Sequence, residues 1–277
     1  MPSILNKVVK QKSFVIGAVL LSPIFFMAIF ANFIAPFNPL LYTGAKPLSP
    51  PSFSHIMGTD QTGGDIFSQV VYGARVALYV GIGSAALALA IAIVVGLPAG
   101  YFGGIIGEVL MRFTDLVISI PSFVLIIMVV VLFGSSINTI LLIIALVSWP
   151  ILARIIRAEV LSLKEREFIL AAKAGGISGF NIMFDEILPN VWFRLTPAVT
   201  LQAGLAIIIE AGISFLGLGD PNSSSWGRIL MFAYQAVFSG AWWGLLFPTL
   251  LIIITVVGFN QIGDGLAKAF NPRTTQV

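Results

Sequence analysis

The 277-residue chain has no cysteine, one histidine and few charges. Without thiols there are no disulfides, thiolate metal sites or cysteine nucleophiles. The single imidazole, His55, stands in a proline-rich stretch, which argues against a histidine-rich metal site and a Ser/His/Asp relay. Neither a GxxxxGK[ST] phosphate loop nor an HExxH pair occurs. Charged residues make up 10% of the chain, against about 25% in a soluble domain. The net charge of +3 is too small to suggest a nucleic-acid partner. No internal repeat, low-complexity tract or second domain is apparent.

Apolar residues fill that space. They reach 58% of the chain, with mean hydropathy +1.01. No soluble fold hides so much, so the sequence reads as an integral membrane protein. Long unbroken runs favour helical spans over a β-barrel. Six runs stand out: Phe14–Ala35, Val76–Gly100, Leu116–Phe133, Ile137–Ala153, Leu195–Leu218 and Ala241–Ile262. Each has roughly the 17–25 residues a helix needs to cross the hydrocarbon. The first follows Lys7, Lys10 and Lys12 as a secretory signal would, but its 22 residues exceed the roughly 7–15 of a signal core. It is read as an uncleaved span.

Cations set the orientation. With the N-terminus cytoplasmic, twelve Lys and Arg fall inside and three (Lys46, Arg75, Arg228) outside. Both termini are therefore expected in the cytoplasm. Residues 36–75 form an outer loop rich in proline at its start, with a short helix from Asp65 to Arg75 leading into the second span. Asp65 is expected to cap it, and Asp60 either to cap or to meet an outside partner. Gly134–Ser136 join spans three and four tightly, as an antiparallel hairpin. Residues 154–194 form an inner loop with six cations and five anions.

That inner loop holds ILAAKAGGISGFNIMFDEILPN. Helix formers run from Phe168 to Ala174, and Gly175–Gly176 breaks the run. Phe180, Met183, Phe184 and Ile187 fall on one helical face. Pro189 ends the segment. The expectation is a short amphipathic helix between two bends, either resting on lipid or docking a partner.

The spacing of Ala171, Ala172, Gly176, Leu188 and Pro189 resembles the "EAA" loop of ABC-importer permeases, with Leu170 in place of the glutamate. MGTDQTGGDIFSQVVYGARVAL (57–78), GYFGG (100–104), MRFTD with Pro121, EAGISFLGLG (210–219), SWGRIL (225–230) and GFNQIGDGLAKAFNPR (258–273) resemble the oligopeptide/dipeptide/nickel branch, second or "C-type" subunit. The chain departs from that branch at Gly64, Gln69, Asp185, Lys268 and Asn271.

The resemblance implies an all-α, six-span permease of the type I ABC importer kind, in the plasma membrane of a prokaryote. Its parts would be a cytoplasmic segment 1–13, a first helix 14–35, an extracytoplasmic loop 36–75, a five-helix core 76–270 and a cytoplasmic tail 271–277. A coupling loop, 163–190, would lie within the core, with its coupling helix at 176–185. Partners would be a related permease, two cytoplasmic ATP-binding subunits and an external binding protein. ATP and magnesium would sit on the ATPases, with no cofactor in this chain. The implied coupling residues are Ala171, Ala172, Gly175, Gly176, Phe180, Asp185, Leu188 and Pro189. The cargo would be a peptide, with oligosaccharides or nickel chelates as alternatives. A secondary transporter is the weaker reading.

Glu210 is the one ionisable residue well inside a span. It lies about 20 Å beyond Pro197 at about 1.5 Å per residue. A lone charge there costs roughly 2.5–3.5 kcal/mol, so it lines the pathway, meets a partner, is protonated or makes a structural hydrogen bond. Ser214, Phe215 and Leu216 follow it as gate candidates or ordinary helix-end packing. Arg112 and Asp115 are spaced to pair along one helix. Trp226, Trp242 and Trp243 suit interfacial anchors.

Overall fold

A computed structural model describes residues 4–41 and 43–270. The expected tail 271–277, with Asn271 and Arg273, lies outside the described residues. Among those described, the regular structure is helical, with one isolated bridge between Thr59 and Asp65. Five helices are long and apolar enough to cross a membrane, and a bent pair supplies a sixth span.

A short helix, α1 (Ile4–Val9), precedes α2 (Lys12–Ile34). α2 is apolar on every side and exposes Val19, Phe26, Ile29 and Phe33, as a lipid-facing helix does. It meets α11 (Trp243–Phe270) where Gly17 lies against the Gly258 backbone; a Cβ on Gly17 would come within 2.7 Å of that carbonyl. Small residues let helices approach closely in lipid, where dispersion replaces the hydrophobic drive.

The central helix is α3 (Ile66–Tyr101), which packs against α2, α6 (Ile137–Leu163) and α9 (Leu188–Ile213). It begins ten residues before Val76, inside the predicted loop 36–75, and runs unbroken into the span. Asp65 starts it as expected: its side chain accepts from Ser68 N at 2.8 Å. Its 36 residues span about 54 Å, well beyond the roughly 30 Å hydrocarbon core.

The predicted third span, Leu116–Phe133, is two helices. α4 (Gly104–Ser119) and α5 (Ser122–Phe133) meet at 77°. Pro121 has no N–H to continue the first helix and drives Ile120 to extended φ/ψ (−85°, 129°). Hydropathy sees one greasy run because both sides of the break are apolar. Gly134 (φ 92°) then turns the chain into α6, capped by Ser136.

The loop expected inside the cell holds α7 (Glu167–Ala174). After a turn the chain enters α8 (Gly179–Asn181), a wide π turn at Ile182–Ile187, and α9 without a break. A second π turn, Ser214–Leu218, closes α9. The amphipathic α10 (Trp226–Ala236) follows at the same end as residues 39–69.

Candidate functional site

Gly175 and Gly176 make the turn after α7. Gly176 has φ +77°, a left-handed value that costs an ordinary residue energy. Ser178 then restarts the helix by accepting from Asn181 N at 3.2 Å. The free-standing helix of the loop is therefore α7, residues 167–174, and the expected coupling helix at 176–185 is only a turn and the start of a long helix.

The proline stop is also corrected. Pro189 sits at the start of α9, and the helical run Gly179–Leu218 passes straight through it. A proline in an ordinary helix clashes with the carbonyl four residues back. Here the turn ahead of it is widened: Leu188 N bonds Met183 O, an i→i−5 link. That π geometry absorbs the ring. It also changes the faces. Met183 and Ile187 are buried with Ile182, while Phe180 and Phe184 point out, ring centroids 4.6 Å apart. The four-residue apolar face does not form.

Three isoleucines hold the loop to the bundle. Ile169 of α7, Ile182 and Ile187 are fully buried against Leu97 of α3 and Leu152, Ile156 and Val160 of α6. Each contributes about 2 kcal/mol of burial. Lys173 lies over the Tyr101 ring at 5.4 Å, and Gly179 packs on the same ring. The opposite side of the loop is open: Leu170, Ala171, Gly175, Gly176, Ile177, Phe180, Phe184, Asp185 and Pro189 are exposed, and Ala172 and Leu188 are half-buried.

Salt bridges brace the same end. Arg154 of α6 binds Asp115 of α4 at 2.5 Å, and Arg194 of α9 binds Glu159 of α6 at 2.8 Å. The expected Arg112–Asp115 pair does not form. Arg112 lies 3.5 Å from Glu108 one turn away, because Asp115 faces α6. These bridges link residues 39 and 35 apart in the chain, and no local spacing signals them.

At the other end, Glu210 is buried at 3% exposure. Its Oε1 accepts from Ser214 Oγ at 2.6 Å, and the Ser225 side chain also hydrogen-bonds it. Ser214 opens the second π turn and Ser225 caps α10. Glu210 thus joins three elements, the structural role weighed for it. Phe215 and Leu216 on the π turn are exposed at 38% and 54%. Gly227 touches Ala211 O so closely that any side chain would overlap it.

Two of the three tryptophans are pins, not anchors. Trp226 and Trp243 are buried and donate their indole N–H groups to Val70 O and Thr59 O; only Trp242 stays exposed. Arg75, with no role assigned from sequence, donates to Ala28 O, Ile29 O and Asn32 Oδ1 and fastens the end of α2 to α3. Asp60 caps no helix. It folds residues 60–64, accepting from Thr62 N, Thr62 Oγ1 and Gly64 N.

Spans packed around one long helix, with an open helical loop at one end, define a multi-pass membrane protein. Residues 92–276 match the family described as binding-protein-dependent transport system inner membrane component, and the chain belongs to that family. It is 39% identical over 265 residues to the dipeptide transport system permease protein DppC of Alkalihalophilus pseudofirmus, covering 95% of this chain and 87% of that one. The DppC of Bacillus subtilis is 35% identical, with 95% and 83% covered. The oligopeptide transport system permease protein OppC of Bacillus subtilis is 34% identical, with 95% and 86% covered.

Proposed function

We propose that this chain is the second permease subunit of an ATP-driven peptide importer in a prokaryotic plasma membrane. It forms half of an alternating-access pathway with a related permease. Two cytoplasmic ATPases bind at the α7 end, and an external binding protein delivers peptide at the α10 end. The excess of Lys and Arg at the α7 end supports that orientation. The relatives named for dipeptide and oligopeptide transport support the cargo.

One observation carries the coupling role. α7 is pinned by a single fully buried residue, Ile169, with Lys173 over the Tyr101 ring, and presents Leu170, Ala171 and Ala174 outward. A helix held on one side and bare on the other can transmit a push from a docked ATPase to α6 and α9 through the packed isoleucines. The ATPases would hold the nucleotide and magnesium. The coupling helix is thus reassigned to residues 167–174, with Gly175–Gly176 as its hinge.

Gly176 tests it. Nothing lies within 4 Å of a Cβ built there, so within this chain a side chain meets only the backbone penalty. Asn tolerates φ > 0 far better than Val. Both Gly176→Val and Gly176→Asn are expected to lower peptide uptake per ATP hydrolysed in the reconstituted complex, because the docked ATPase closes on that surface. Wild-type coupling in both variants contradicts the docking role.

A further inference from the structure

Arg228 stands on the wall between two recesses at the α10 end. One, about 200 Å³, lies between residues 39–69 and α10 and is lined in part by Asp60, Gln61, Thr62 and Gln69. The other, about 180 Å³, reaches Ser214 and Gly217 of the π turn. Arg228 and Phe232 line both. Each recess is smaller than the roughly 300–1,000 Å³ that encloses a whole small ligand, so each suits one end of a longer molecule.

The guanidinium is fixed in place. Its Nη1 donates to Pro221 O and Ser223 O, and its carbon lies 5.8 Å from the Phe232 ring centroid. Among the described residues no acceptor meets Nε or Nη2. The acid in the first recess forms no ion pair with it: Asp60 Oδ1 is taken by Thr62 and Gly64, and Oδ2 accepts from Gln69 Nε2 at 2.6 Å. A positioned arginine with donors to spare, beside an acid already satisfied, selects a carboxylate.

We propose that Arg228 receives the terminal carboxylate of the peptide as it passes from the binding protein toward the π turn at Ser214–Leu218. This rests on the peptide-importer reading above. A recessed cation shared by two small cavities fits a chain end better than the surface of a docked protein, which would favour a projecting charge.

The test uses the whole complex in proteoliposomes, with tri-alanine as cargo and binding protein titrated to saturation. Arg228→Gln is expected to lower maximal uptake roughly tenfold, the loss of about one charge-assisted hydrogen bond. The half-saturating concentration of loaded binding protein should not move. Arg228→Lys, which keeps the charge without the fork, should recover part of the rate. Unchanged maximal uptake in Arg228→Gln overturns the proposal. So does a loss seen only as a higher half-saturating concentration, which identifies Arg228 as a binding-protein contact. Failure of Arg228→Lys to co-purify with its partners would make Arg228 a structural residue and overturn it too. Wild-type vesicles that take up no peptide, though the complex hydrolyses ATP, refute the peptide reading itself.

Discussion

Glu210 shows how one residue in a span changes meaning once its neighbours are known. From sequence it was a lone charge in lipid. In the structure its carboxyl group is buried and hydrogen-bonded to Ser214 on the π turn and Ser225 at the start of α10. Gln keeps the shape and an acceptor; Leu leaves two hydroxyls without theirs, at about 1–3 kcal/mol each. Glu210→Gln is therefore expected to unfold within a few degrees of wild type and to transport, whereas Glu210→Leu melts clearly lower, as read by thermal unfolding of the purified complex. Loss of transport in Glu210→Gln at unchanged melting temperature would make the charge itself functional. Arg75 is a second case. Arg75→Ala removes the fastening to α2 and is expected to expose the 28–32 backbone to faster hydrogen exchange, with α9 unaffected.

At the scale of elements, local chemistry was legible and partnership was not. Spans, the Asp65 cap and the Gly175–Gly176 turn could be read directly, because each depends on residues within a few positions. Pro189 reads as a helix stop from sequence, but a π turn absorbs it, and nothing in the local pattern announces one. The bend at Pro121 was missed because hydropathy measures transfer into lipid, not helix direction. Trp226 and Trp243 read as interfacial anchors from sequence because their acceptors, Val70 and Thr59, lie 156 and 184 residues away. The break at Pro121 suggests a prediction. Pro121→Ala restores an N–H and allows helix through Ile120, at odds with the 77° bend. It is expected to straighten the α4–α5 joint and to widen the distance between spin labels at residues 110 and 128, measured by pulsed electron resonance. An unchanged distance would mean that packing, not proline, sets the bend.

At the scale of the whole molecule, α3 links the two ends of the bundle. α3 runs from the cap at Asp65 to Tyr101, so the ring under Lys173 and the carboxylate that closes the segment before α3 stand at the two ends of one continuous helix. Salt bridges tie α4, α6 and α9 at the α7 end, and at the other end tryptophan pins tie α10 to α3 and α11 to Thr59 in the segment before α3. Both ends are therefore fastened to the same core, and displacement of α7 has a packed route to the mouth. The exposed pairs add little to stability, about 0–1 kcal/mol each, so Asp115→Asn should shift coupling more than melting temperature.

The absence of cysteine allows the most direct test of that claim. A single Ala171→Cys lies on the open side of α7, and Leu216→Cys marks the opposite end. In the assembled complex, Ala171→Cys is expected to crosslink to the ATPase subunit with a short bifunctional reagent and to lose reactivity toward a water-soluble maleimide when the ATPases are bound; Leu216→Cys should do neither. A Cys at 171 that labels equally with and without the ATPases, and crosslinks to neither of them, would contradict α7 as the docking element.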